Sequence, residues 1–361
     1  MKPARTARTA GLLAGIALAV LRFPAPAGAA GQVPAPTTVV DSLNRSVSVP
    51  GKIGRIISLE PEITRIIVAL GAGDRLVGID YFLRHHDHLF PLVFPEGLKL
   101  PVVSNQAQDI SVEEAVRLRP DVVFASPSEF RMAESIERKL QVPVVALASM
   151  GRFAGLLGEI GTLGQILGRE ERAAELVGYF QEQLRALDRA DSSDPPGRRP
   201  SVYLAFWNSL IRTPVSYEPV DAAGGRNAAS GVLPEYLGAA GATISIETLI
   251  AWDPEVILVQ GNYPPTERRV SVGTVLRDPR LASLRAVRSG RVHYTFGFWY
   301  WWDPALVLVE TVYLSGLLRP GAPAGPGLVA TGNSIFEEFY GVEGAFSALC
   351  RILDCHEWTA R

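Results

Sequence analysis

Two stretches of this chain carry nearly the same pattern. Residues 111–126 read SVEEAVRLRPDVVFAS and residues 245–260 read SIETLIAWDPEVILVQ, and they align without a gap. Ser111 and Ser245 open the two copies, Glu113 and Glu247 match, Pro120 and Pro254 break them, and an apolar run closes each. Each copy therefore encodes a short helix, a proline stop and a buried strand. Ser111 with Glu114 three residues on also has the pattern of a capping box. Such a match is compatible with two generic helix–strand units or with two lobes of similar topology.

What lies between the copies favours two lobes. Glu170 to Asp191 is the longest helical pattern in the chain, with Ala173, Leu176, Val177, Phe180, Leu184 and Leu187 at steps of three or four. That spacing makes one apolar stripe, and the rod spans roughly 30 Å. Periodicity alone describes an ordinary surface helix. Its place near the middle of the chain, with similar sequence on both sides, makes it a connector.

The first thirty residues read as a secretory signal peptide. Lys2, Arg5 and Arg8 precede the apolar run Gly11 to Leu21, and Ala27-Gly28-Ala29 fits small-residue cleavage. No cysteine follows the run to carry a lipid anchor, and there is no twin-arginine pair, so the mature protein is expected to be soluble and exported. The roughly 330 residues left suit two domains better than one. The formal net charge is −2, and removal of the basic leader makes the remainder more acidic, which argues against nucleic acid. The two cysteines, Cys350 and Cys355, can pair only if a helix ends between them; an oxidising compartment permits that bond.

In chain order, Val39 to Val49 alternates like a hairpin turning at Leu43-Asn44-Arg45. Arg55 to Leu59 is a short buried strand, Pro61 starts a helix with Ile63, Ile66, Ile67 and Leu70 on its apolar face, and Leu76 to Ile79 is a strand. Tyr81 to Phe94 reads as a long loop rich in aromatics and histidine. Strands and helices alternate again to residue 167. After the rod they resume, with strands at 201–206, 256–259 and 291–296, an apolar helix over 304–318 and a helical tail over 333–358. The alternation predicts an α/β fold with mostly parallel sheets.

The chain resembles the helical-backbone (class III) substrate-binding proteins of ABC importers. The resemblance rests on DSLNRSVSVPGKIGRIISLEP with ALGAGDRLVGID, then SVEEAVRLRPDVVFAS, LGQILGREERAAELV, AAGGRNAAS, SIETLIAWDPEVILV and SGRVHYTFGFWYWWDP, in that order. It implies two α/β lobes with central, mostly parallel sheets, one rigid connecting helix and a ligand cleft between the lobes. The corresponding boundaries are 1–30 for the signal peptide, 31–168 for the first lobe, 169–195 for the backbone helix and 196–361 for the second lobe. It further implies a periplasmic protein, expected as a monomer with no cofactor of its own, that hands a metal chelate (ferric siderophore, haem or corrinoid, with chelated iron or cobalt) to an inner-membrane ABC permease; an oxyanion such as molybdate is a rarer family ligand. Each lobe of such proteins docks to the permease through an acidic residue. In the first lobe that acid follows SLxPxxT, where this chain has Arg65, so Glu62 is the substitute. In the second lobe Glu218 and Asp221 are the candidates.

Ligands of open α/β sheets bind beyond the carboxyl ends of the strands. That rule selects Glu60, Tyr81, Phe82, His85, His86, His88 and Ser126 on one side, and Trp207, Tyr263, Trp299 and Trp301 on the other. Large aromatics suit a planar chelate; a core plug beneath the 304–318 helix is the alternative use of the same rings, with Trp299 and Trp301 facing opposite to Tyr300 and Trp302. One histidine of the His85-His86-Asp87-His88 run could be an axial metal ligand, or the run could be a solvated loop. A metal hydrolase is the rival class, but the chain has no HExxH, GxSxG or Gly-rich phosphate loop. An exported sensor or interaction module on the same two-lobed fold is the third reading.

Overall fold

The computed structural model describes residues 35–106, 109–126, 130–147, 150–191, 199–235, 241–298, 302–319 and 327–358. The signal segment and the 322–327 linker expected from sequence lie outside these residues, apart from Gly327.

The first lobe runs β1 (Thr37–Val40), β2 (Ser46–Val49), β3 (Ile56–Ser58), α1 (Pro61–Ala69), β4 (Leu76–Ile79), α2 (Tyr81–His85), α3 (Phe90–Val93), α4 (Val112–Leu118), β5 (Val122–Ala125), α5 (Phe130–Leu140), β6 (Val144–Ala146) and α6 (Phe153–Leu167). The connector is α7 (Glu170–Asp191). The second lobe runs β7 (Ser201–Ala205), β8 (Arg212–Pro214), α8 (Glu218–Ala222), β9 (Arg226–Asn227), β10 (Gly241–Thr243), α9 (Ile246–Trp252), β11 (Val256–Gln260), α10 (Val272–Arg277), α11 (Arg285–Arg288), β12 (Val292–Thr295), α12 (Pro304–Leu318), α13 (Leu328–Tyr340) and α14 (Ala345–Leu353). Strands β8, β9 and β10 are too short to leave a readable period in the sequence.

Each lobe holds a four-stranded sheet, ordered β4-β3-β5-β6 and β12-β11-β7-β9. Every pairing within both sheets is parallel. In both sheets a strand of the repeated segment occupies an inner position, as β5 and as β11. The detail of the repeat recurs too. Arg119 and Asp253, the residues before the two prolines, both end their helices in the left-handed conformation (φ 45° and 41°). The proline ring disfavours the α region for the residue before it, which fits a break at this point.

The starts of those two helices differ. Ser245 caps α9 by accepting from Thr248 N at 3.1 Å, but Ser111 makes no side-chain cap bond. Glu114, the expected second half of a capping box, pairs instead with Arg117 at 2.6 Å. The complete capping box is at Ser271 and Thr274, at the start of α10.

The side chains of each sheet alternate between two cores, as the pleat requires. Ile56, Phe124 and Val145 of the first sheet and Val202, Leu204, Val256 and Leu258 of the second enter one continuous core that also holds Ile63, Leu156, Phe153, Trp302 and Leu306. The opposite faces, including Ile57 and Val123 in one lobe and Tyr203 and Ile257 in the other, enter separate smaller cores. In α1, Ile63, Ile66 and Ile67 are fully buried, each contributing about 1.5–3 kcal/mol relative to exposure. The connector buries Ala173, Leu176 and Phe180 and packs along α6. Gly164 permits that approach: a Cβ there would meet Ala173 Cβ at 2.5 Å.

The stretch expected as one loop, Tyr81 to Phe94, contains two short helices. Asp80 caps the first through Leu83 N (3.0 Å), and Asp87 caps the second through Leu89 N (2.8 Å) and Phe90 N (3.1 Å). The tail is helical as expected, in α13, α14 and a final turn Cys355–Trp358. Among the described residues no helix is long and apolar enough to cross a membrane.

Candidate functional site

The backbone N–H of Trp302, beyond the carboxyl end of β12, donates to Glu62 Oε2 at 3.1 Å, just beyond the carboxyl end of β3. The carboxyl ends of the two sheets are thus joined by contact.

Arg65 makes the second link. Its side chain is fully buried, donating through Nε to Asp303 Oδ2 at 3.0 Å and through Nη1 to Asp87. Asp303 also accepts the Tyr340 hydroxyl of α13 and, through Oδ1, caps α12 at Leu306 N (2.8 Å). The residue that replaces the docking acid is therefore the centre of an Asp87–Arg65–Asp303–Tyr340 network that ties α1 to the helices following the second sheet. Sequence reading missed this role. Asp303-Pro304 is legible as a helix start, but nothing local pairs it with a residue 238 positions earlier.

Carboxyl groups crowd the first-lobe side. Burial, followed by the neighbouring Glu159 carboxyl, raises Glu62 well above its usual range. Glu60 is raised by burial first, then by Asp80 and Glu159. Burial carries Asp80 up to about 7. The net negative charge is thus smaller than the number of acids implies.

The second-lobe side is aromatic. Tyr217 lies 5.1 Å from Phe206 and 5.2 Å from Phe298, both edge-on, and Phe298 lies 5.9 Å from Trp302. Trp302 stacks on Phe153 at 6.0 Å and is 0% exposed. For Trp302 the core-plug use of the rings is the one realised. Trp299 and Trp301 lie outside the described residues. Trp207 is half-exposed at the edge of this cluster, with the Arg212 guanidinium 5.0 Å above its ring. Trp207 and the next residue, Asn208, both adopt left-handed backbone (φ 52° and 54°), a conformation costing roughly 1–2 kcal/mol per residue. Polar contacts hold them there: Trp207 N donates to Gln260 Oε1 at 2.5 Å, and Asn208 Oδ1 accepts from Arg269 N at 2.7 Å. Tyr263 is half-buried in the loop after β11.

Helix α2 and the residues just after it carry the remaining first-lobe candidates. His85 is exposed and lies 4.4 Å from the Tyr81 ring; His86 is 5.5 Å from Phe82. His88 is half-buried between the two short helices. No group of three or more metal-binding side chains gathers among the described residues. The one guanidinium of this helix is Arg84. Its Nη1 is buried and has no hydrogen-bond partner among the described residues.

The three docking candidates fare differently. Glu62 is 0% exposed, so it offers no surface to a partner and the sequence expectation for it is corrected. Glu218 is half-buried, its Oε2 accepting from Phe153 N at 2.5 Å while its own N–H donates to Gly151 O at 3.0 Å. It serves as the missing cap of α6 from the opposite lobe. Asp221 is exposed.

With this geometry in view, comparison with known proteins defines the class. The chain belongs to the periplasmic binding protein family, whose model matches residues 56–296; it is a substrate-binding protein of ABC importers, not an enzyme. Among individual proteins it is similar to the molybdate-binding protein MolA of Haemophilus influenzae, at 27% identity over 330 residues, covering 84% of this chain and 90% of that protein. The structure of MolA bound to molybdate superposes with a TM-score of 0.69 at 22% identity, covering 85% of this chain and 98% of that one. Helicobacter pylori CeuE with Ni(II) bound gives 0.69 at 16% identity (88% and 99% covered), and the haem-binding protein HutB of Vibrio cholerae gives 0.57 at 24% (74% and 99%). At these identities the structural likenesses establish the fold.

Proposed function

We propose that this protein captures a compact anionic metal species of the molybdate class between its lobes and delivers it to a membrane permease. In this reading residues 1–30 direct export, 31–168 and 196–361 are the lobes, and 169–195 is the connector.

The observation that carries it is the pair of under-used cations at the strand ends. Arg84 has a buried guanidinium nitrogen without an acceptor among the described residues, and the exposed Arg212 lies over the half-exposed Trp207. A buried donor left unpaired is costly, and an oxyanion supplies the missing acceptors. Burial that moves Glu60 and Asp80 toward their neutral forms removes charge that would repel an anion. The likeness to a molybdate-binding protein over most of both chains points the same way.

A second reading keeps the metal chelate. It is favoured by the Tyr81–His85 ring pair, 4.4 Å apart, which offers a flat face and an imidazole. Glu60, Tyr81, Phe82, His85, His86, His88, Ser126, Trp207 and Tyr263 are the contacts proposed for either ligand, with Asp221 left as the docking acid.

Calorimetric titration of the purified mature chain with molybdate, tungstate, sulfate, haem, cobalamin and ferric siderophores decides between them. Micromolar binding of molybdate and tungstate alone is the expected result. Binding of a chelate alone overturns the oxyanion reading, and silence toward every ligand overturns both.

A further inference from the structure

The two cysteines lie in the C-terminal tail, and nothing in the binding function uses them. Helix α14 ends at Leu353, and Asp354 adopts left-handed backbone (φ 52°), its N–H bonded to Cys350 O. The chain therefore reverses between Cys350 and Cys355, which a continuous helix would hold apart. The structure holds both as free thiols, 0% and 1% exposed, with Cys350 near enough to act on the Cys355 thiol.

The turn that Cys355 opens is packed against the carboxyl end of the second sheet. Trp358 lies 5.5 Å from Tyr294 and 4.7 Å from Phe296, at the end of β12 and its exit. It also covers Gly261, where a Cβ would meet the indole at 2.6 Å. Arg268 ties the same turn to the loop after β11: it donates to Leu353 O at 2.6 Å, Gly261 O at 3.1 Å and Tyr263 O at 2.8 Å. The loop so fastened carries Asn262 and Tyr263, just past the carboxyl end of the strand that closes at Gln260.

We propose that Cys350 and Cys355 form an intramolecular disulfide in the exported protein, a cross-link that latches the 353–358 turn onto the 261–268 loop. The inference rests on the periplasmic class of the protein, since such a compartment is oxidising, and not on which ligand it binds. The oxidant is a disulfide of the thiol-exchange class. One cysteine thiolate attacks it and releases one oxidant thiol; the other cysteine then displaces the second. The two cysteines lose two protons and two electrons in all, and the oxidant's disulfide takes them up as two thiols. Burial pushes the Cys355 thiol up, so exchange proceeds with the turn lifted and the closed bond is shielded once the turn docks.

The test uses the full mature chain purified under reducing conditions and divided in two. One half is equilibrated in a glutathione buffer of oxidising poise and the other is kept reduced; both are alkylated in denaturant and weighed by intact-mass spectrometry. The expected result is no alkylation of the oxidised half and two alkylations of the reduced half. Two alkylations in both halves overturn the disulfide. Hydrogen exchange on the two forms before denaturation tests the latch: slower exchange over both 353–358 and 261–268 in the oxidised form supports it, and equal exchange over 261–268 overturns the latch. Neither readout involves ligand, so a failed titration leaves this result standing and the reverse also holds.

Discussion

Replacing Arg65 with methionine is the sharpest test of how the lobes are joined. The guanidinium is fully buried and serves Asp87 and Asp303 at once. Methionine fills much of the same volume but leaves two buried carboxyls without their cation. Breaking a buried pair by removing one partner costs about 3–5 kcal/mol, and a protein of ordinary stability has about 5–15 kcal/mol in total. With a urea slope of about 3 kcal/mol per molar, the apparent midpoint should fall by about 1–1.7 M. Tryptophan fluorescence reports it directly, because the buried Trp302 immediately precedes Asp303 in the chain. Adding Asp87→Asn and Asp303→Asn should recover most of the loss, since neutralising the whole set removes the uncompensated charge. The amide oxygen that Asp303→Asn introduces can still accept from Leu306 N, so the α12 cap survives the change. A single variant whose midpoint moves by less than about 0.2 M, or a triple variant no better than the single, refutes the reasoning.

Three further outcomes are expected. Glu310 is fully buried, accepts from Gly297 N at 2.9 Å, and is raised by burial from 4.5 to about 8. The folded state holds that proton more tightly than the unfolded chain, so this group's contribution to stability falls as pH rises from about 4.5 to about 8; Glu310→Gln should flatten thermal melting over that window. Ser271→Ala should cost about 1 kcal/mol by removing a complete capping box, whereas Ser111→Ala should cost little, as paired denaturation curves will show. Arg84→Gln should weaken molybdate binding at least tenfold by calorimetry with the fold intact by circular dichroism; unchanged affinity removes Arg84 from the site.

Much of the fold was readable because it rests on local signals. The apolar face of α1, the strand alternation and the proline that ends each repeated helix all act over a few residues. The two short helices in 81–94 were not readable from periodicity, since helices of five and four residues complete barely one turn. Their caps, Asp80 and Asp87, were the available signal. Ser111 shows the converse: the capping pattern is present, but Arg117 takes the glutamate. The site was less legible because its key placements depend on distant partners. Arg65 reads as a surface charge until Asp303 and Asp87 are brought to it, and only the stacking of Phe153 on Trp302 shows that this ring plugs the core. Glu218 reads as a docking acid until the start of α6 arrives to use its carboxylate.

That last contact has a consequence for transport. Glu218 grips the N-terminal end of α6, Trp302 bonds Glu62, and Arg65 holds Asp303. With α7 these stitch the halves together at several separate points. A mouth fastened in this way cannot gape, so cargo must enter and leave through small displacements at the rim. If the proposed anion is held by Arg84 and Arg212, handover depends on the permease presenting groups that outcompete those arginines, rather than on prising the jaws apart.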